Sequence, residues 1–92
     1  MNDTENDKRL KRLKYRANHR GIKEMDIILG KFADEMLESL TQKELDDFEA
    51  LLLENDRDLL VWFTKEAEFP IVQLEEIFDS VSKHMNADTH HA

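Results

Sequence analysis

Residues 22–44, IKEMDIILGKFADEMLESLTQKE, decide how this chain folds. Met25, Ile28, Leu29, Phe32, Met36 and Leu40 recur every three or four positions, the spacing that lines one face of a helix and that a strand, with its period of two, would scatter over both faces. The spacing predicts a helix over residues 22–40. Directly after it, Thr41-Gln42-Lys43-Glu44 has the Thr-x-x-Glu pattern of a capping box, in which each side chain accepts from the other residue's backbone amide. A further helix carrying Leu45, Phe48, Leu51 and Leu52 is expected to start there.

Working outward, Asn55-Asp56 stops that helix and caps the next, expected over residues 57–66 with Leu59, Leu60, Trp62 and Phe63. Pro70 opens a fifth helix with Val72, Leu74, Ile77, Phe78 and Val81, since its fixed φ suits a first turn. Before the quoted stretch, residues 4–17 read as a polar helix with a narrow stripe of Leu10, Leu13 and Ala17. Asn18 to Gly21 end it, with Gly21 suited to the left-handed position of a C-cap. Residues 85–92, MNADTHHA, read as a disordered polar tail. Two glycines and one proline leave little punctuation for sheets. The expected fold is all-α, a compact five-helix bundle forming a single small domain over residues 1–92, with the first helix lying across it. Gly30, inside the second helix, reads as the point of a close helix crossing, and Trp62 as core with one edge near the surface.

Composition narrows the function. The chain has no cysteine, which excludes disulfides, thiolate metal sites and thiol nucleophiles. No apolar run approaches the roughly 20 residues that span a bilayer, so no membrane insertion is expected. The start, MNDTENDKRL, is acidic before its first cation, unlike a secretory or mitochondrial leader, and a cytoplasmic, soluble protein is expected. Of the four histidines, His84 sits at the edge of the tail and His90 and His91 lie inside it, where adjacent residues do not preset metal geometry. Ser39, Ser80 and Ser82 come with no base and orienting acid. Gly21 and Gly30 cannot make a phosphate-binding loop. The reading is therefore of a protein that is not an enzyme and holds no cofactor or metal of its own.

Charge is the distinctive feature. The formal net charge is −8, yet residues 1–23 hold eight cations against three carboxylates, a surplus of five, while residues 24–92 hold five against eighteen, a deficit of thirteen. Such a basic segment can be a solvated helix face, a nucleic-acid contact or a docking surface. Against nucleic acid stand the repulsion of the acidic body within a Debye length of about 8 Å and the presence of only one aromatic, Tyr15, in the segment. Capping accounts for part of the pattern at Arg20-Gly21 and Glu24, whose charges suit the helix ends they flank. It leaves unexplained the crowding of Arg12, Arg16, His19 and Lys23, which repel one another unless something acidic faces them. A docking surface answers this. Gly21 clears space for another backbone, while Arg20 and Glu24 offer a donor fork and an acceptor.

KYRANHRGIKEMDIILGKF, residues 14–32, with Arg20-Gly21-x-x-Glu24, Met25-Asp26, Leu29-Gly30 and Phe32, and LLLENDRDLLVWF, residues 51–63, with Leu52, Asp56, Leu59 and Trp62, resemble the SdhE family of succinate dehydrogenase assembly factors. The resemblance covers about residues 9–66. It implies a small all-helical monomer that binds the flavoprotein subunit of succinate dehydrogenase, in some bacteria also that of fumarate reductase, and promotes covalent attachment of FAD to a histidine of that subunit. The FAD and the reacting histidine then belong to the partner. The family's motif contacts the flavoprotein, so Arg20, Gly21 and Glu24 carry over, with Arg16 and His19 beside them. Many members have a second arginine where this chain has His19. The alternative function is a small nucleic-acid-binding regulator that uses the basic first helix.

Overall fold

A computed structural model describes residues 4–89, and among these it contains five α-helices and no strand. Helix α1 is Glu5–Asn18, α2 Lys23–Met36, α3 Gln42–Leu52, α4 Asp56–Phe63 and α5 Glu75–Thr89. Two single turns of 3₁₀ helix, Leu37–Ser39 and Val72–Leu74, follow α2 and precede α5.

Local chemistry sets most of the boundaries. Thr4 and Asp7 form a reciprocal capping box at α1, and Thr41 and Glu44 form the expected one at α3, where Thr41 Oγ1 accepts from Glu44 N at 3.1 Å and Glu44 Oε1 from Thr41 N at 2.8 Å. Asn55 Oδ1 accepts from Arg57 N at 2.8 Å and caps α4. The second helix was expected to reach residue 40. It ends as an α-helix at Met36, and the tighter turn that follows buries Leu37 while Ser39 Oγ donates to Met36 O at 2.7 Å.

Three other boundaries also differ from expectation. Helix α4 stops at Phe63, short of residue 66, because Lys65 adopts φ 67° and Glu66 N turns back to Val61 O at 2.9 Å. Pro70 does not open α5 directly. A 3₁₀ turn intervenes, which buries Leu74 but leaves Val72, expected on the core face, 70% exposed. Helix α5 then runs through residues 85–89, where a disordered tail was expected. Its later turns are tied to α2: His84 Nε2 meets Glu35 Oε1 at 2.7 Å and its ring lies edge-on to Phe32. Residues 1–3 and 90–92, including His90 and His91, lie outside the described residues.

The core takes Leu10, Leu13 and Ala17 from α1, the Met25–Ala33 face of α2, and Leu45, Phe48, Leu51 and Leu52 from α3. Phe32, Phe48 and Phe63 are fully buried, each the kind of side chain whose truncation costs about 3–5 kcal/mol. From α4 and α5 comes an aromatic stack in which Phe78 lies between Phe63 and Phe69, with Trp62 edge-on to Phe69 and packed at the core's border.

Helices α1 and α2 run antiparallel, since Asn18 meets Gly30 and Asp34 while Lys14 reaches Glu38 at 3.7 Å. The pair is held close at Gly30. A Cβ there would sit 2.3 Å from Asn18 Oδ1, and Asn18 cannot easily swing away because its Nδ2 donates to Lys14 O at 2.8 Å and to Asp34 Oδ1 at 3.2 Å. This is the close crossing that a glycine inside a helix implied. Gly30→Ala is expected to lower unfolding stability by about 1 kcal/mol, the loss of Asn18's bonds outweighing the helix-propensity gain. In an Asn18→Ala background the same change should raise stability by about 0.5 kcal/mol or more. Urea denaturation of the four proteins measures both signs.

Candidate partner-docking site

The segment between α1 and α2 turns sharply, and its geometry begins with the end of α1. His19 leaves the helix at φ −131°, ψ 69°, and the last carbonyls are met by side chains: Asn18 Nδ2 donates to Lys14 O, and His19 Nδ1, 2.7 Å from Tyr15 O, carries the proton that bonds it. Gly21 therefore is not the left-handed cap expected of it; no glycine has a positive φ. Its amide instead donates to Asp56 Oδ2 at 2.7 Å, and a Cβ would approach that same oxygen to 3.3 Å. What comes close to Gly21 is a carboxylate of its own chain.

Arg20 is the centre of this arrangement. Its Nε and Nη2 both lie 2.7 Å from Asp56 Oδ1, Nη1 donates to Leu52 O at 2.7 Å and Nη2 to Glu54 O at 3.1 Å. Leu52 and Glu54 stand at the C-terminus of α3, where carbonyls lack helical partners and a cation is favoured by the dipole. Asp56 occupies the first turn of α4, where a carboxylate is favoured in turn. The backbone amide of Arg20 also donates to Asp26 Oδ1 in α2. The Arg20 side chain is only 11% exposed and that of Asp56 17%. The expected donor fork is thus directed into the molecule, where it clasps the α1–α2 connection to the α3–α4 connection.

Two of the α1 arginines, Arg9 and Arg16, meet carboxylates of α3. Arg9 Nη2 contacts Asp46 Oδ1 at 2.6 Å and Glu49 Oε1 at 3.0 Å, and Arg16 Nη1 reaches Glu49 Oε2 at 3.4 Å. Donation of a hydrogen bond to Asp46 raises the Arg9 pKa above its ordinary value, with burial acting against it and Glu49 adding to it. Lys43, on the far side of α3, is raised likewise by its bond to Asp47.

The five residues singled out in the sequence therefore separate. Arg16 and Arg20 point to acidic partners within the chain. His19, Gly21 and Glu24 are exposed, and Glu24, in the first turn of α2, has no hydrogen bond or ion pair among the described residues. In the sequence Asp56 stands at a helix start and within the second stretch that resembles the family, and nothing local signals that it meets Arg20 across 36 positions. The stacking of Tyr15 on His19, with ring centroids 3.8 Å apart, was detectable in principle from their i, i+4 spacing. Among the described residues, no three His, Asp or Glu side chains group to hold a metal, and no helix is long and apolar enough to cross a membrane.

Residues 11–85 match the model of a protein family described as the flavinator of succinate dehydrogenase. The chain is 48% identical over 59 residues to the mitochondrial succinate dehydrogenase assembly factor 2 of Candida glabrata, covering 64% of this chain and 39% of that protein. It is 35% identical over 85 residues to the protein of the same name from Dictyostelium discoideum, covering 92% and 60%, and 34% identical over 86 residues to that of Schizosaccharomyces pombe, covering 92% and 62%. The matched stretches thus span less than two thirds of each of these relatives.

Removing either half of the clasp leaves a charge stranded in a mostly buried place. Arg20→Ala and Asp56→Ala are each expected to cost about 2–4 kcal/mol in urea denaturation, and the double variant less than their sum. Arg20→Lys should recover little, because an ammonium cannot reach one carboxylate and two carbonyls as a planar fork does.

Proposed function

The chain belongs to the family of flavinators of succinate dehydrogenase, and on that ground we propose that it is an assembly factor which binds the flavoprotein subunit of succinate dehydrogenase and promotes covalent attachment of FAD. The match over residues 11–85 carries this reading, because it takes in the Arg20-Gly21-x-x-Glu24 motif, the clasp, all of α2, α3 and α4 and most of α5. In this proposal the protein is not an enzyme: the flavin and the histidine it joins belong to the partner, and the factor brings no cofactor. Its part is positioning. By binding one conformation of the immature subunit better than others, it shifts the population toward the one in which histidine and flavin are in register. The proposal extends to the flavoprotein subunit of fumarate reductase as a second client, to action as a monomer, and to the cytoplasm as its place of action, whereas the relatives named above are mitochondrial.

The clasp supports this division of labour. Arg20 and Asp56 fix the conformation of residues 19–24, so Gly21 and Glu24 are presented without further ordering, which lowers the entropic cost of binding. A nucleic-acid role is disfavoured by the same geometry, since Arg9, Arg16 and Arg20 already face Asp46, Glu49 and Asp56.

Glu24 offers a clean test because its removal breaks no contact in the fold. With the flavoprotein subunit co-expressed, Glu24→Ala should lower thermal stability by no more than the small contribution of an exposed carboxylate at a helix N-terminus, and should reduce covalent flavin, read as fluorescence on a denaturing gel, by about tenfold, the loss typical of an interface anchor. Equal covalent flavin with and without the wild-type chain would contradict the function. Full flavinylation with Glu24→Ala alone would remove Glu24 from the contact.

A further inference from the structure

Successive residues of α1 turn by about 100°, which divides its polar side chains into three groups around the buried Leu10, Leu13 and Ala17. Arg9 and Arg16 lie on the side that meets α3. Lys14 and Asn18 lie on the side that meets α2. Arg12, Tyr15 and His19, spaced i, i+3 and i+7, fall between them and point away from the core. Arg12 is exposed and has no carboxylate within ion-pair distance among the described residues. Tyr15 is 63% exposed, yet its ring is stacked on His19 at an interplanar angle of 19°, and the His19 ring is anchored by its bond to Tyr15 O.

Beside this row, α2 presents Lys23 and Ile27 on the wall of an open groove of about 430 Å³ that Asn18 of α1 also lines. Ile27 is 57% exposed, and Lys23, like Arg12, has no ion-pair partner among the described residues. The carboxylates in the groove do not neutralise these cations: Asp26 accepts from the Arg20 amide and Asp34 from Asn18 Nδ2. The result is a pre-ordered aromatic pair and a separate exposed isoleucine flanked by two unpaired cations, on a body whose remaining charge is strongly negative. Rigid aromatic and aliphatic anchors within a charged rim are what interface hot spots are made of.

We propose that the Arg12–Tyr15–His19 row of α1, together with Lys23 and Ile27 of α2, is the surface that recognises the flavoprotein subunit, and that it takes an acidic segment carrying an apolar or aromatic side chain. The apolar group sits on the Tyr15–His19 stack and against Ile27, while the acidic groups meet Arg12 and Lys23. This rests on the functional reading above and moves the binding determinants from the clasped Arg16 and Arg20 to their exposed neighbours. The acidic body strengthens the choice of occupant, because a compact acidic segment can meet the two cations without lying along the negative surface as a nucleic acid would.

The test is calorimetric titration of the full chain with the flavoprotein subunit prepared without FAD, at two salt concentrations. Tyr15→Ala and Arg12→Glu should each weaken binding by about tenfold or more, Tyr15→Phe should bind as wild type, and Lys83→Glu on α5, the same charge change elsewhere, should stay within about twofold. Arg12→Glu should also flatten the salt dependence. These side chains are exposed, so circular dichroism should show each variant folded. Wild-type chain that binds the subunit while Tyr15→Ala and Arg12→Glu bind equally well overturns this inference and leaves the functional reading standing. Wild-type chain that does not bind the subunit overturns both, and retention on duplex DNA abolished by Arg12→Glu would then identify the row as a nucleic-acid contact instead.

Discussion

A guanidinium and a carboxylate taken out of water cost several kcal/mol each, and their attraction offsets this only when every remaining donor and acceptor is met. Arg20 and Asp56 satisfy that condition closely. The guanidinium meets Asp56 Oδ1, Leu52 O and Glu54 O, and the second carboxylate oxygen takes the Gly21 amide. The pair also sits between the negative end of α3 and the positive end of α4, so both helix dipoles favour it. Its worth lies less in net stability than in uniqueness: one arrangement of the two interhelical connections meets all of these groups, and any slippage strands a charge.

From that constraint the rest of this corner of the fold follows. Because residues 19–22 are fixed to the α3–α4 turn, α1 and α2 leave it in set directions, and Gly30 lets them approach until Asn18 fills the gap. The close approach determines which side of α1 faces α3 and which faces solvent. The cations are sorted accordingly. Those turned inward find Asp46, Glu49 and Asp56, while Arg12, turned outward on the row of the stacked Tyr15 and His19 rings, has no ion pair among the described residues. A protein of net charge −8 thus keeps a small cationic face, with the field of its acidic body behind it.

What the sequence disclosed was what local spacing encodes. The period of Met25 to Leu40, the Thr41–Glu44 box and the Asn55 cap each depend on residues within one or two turns of one another, and the all-α fold follows from them. The misreadings share the opposite character. Gly21 is a good C-cap residue, but the distant Asp56 takes its amide, and the Asn18 and His19 side chains meet carbonyls of the last turn of α1 instead. Helix α4 ends early through a left-handed lysine that no propensity favours, and α5 persists where a polar tail gave no sign of His84 reaching Glu35. At the site, motif spacing singles out Arg20 but carries no sign that its guanidinium turns inward, because the partners it meets lie 32 to 36 residues away.

Arg20 is thus placed to act inside the fold, and the proposed contact falls to its exposed neighbours. Exchange of the Arg20 Nε proton, followed by nitrogen-15 NMR in the free chain, tests this most directly, since a clasped donor is shielded from solvent before any partner arrives. That proton should exchange at least about tenfold more slowly than those of Arg12 and Arg57, with little change on adding the flavoprotein subunit. An Arg20 proton that exchanges as fast as Arg12 in the free chain, and becomes protected only in the complex, would contradict it.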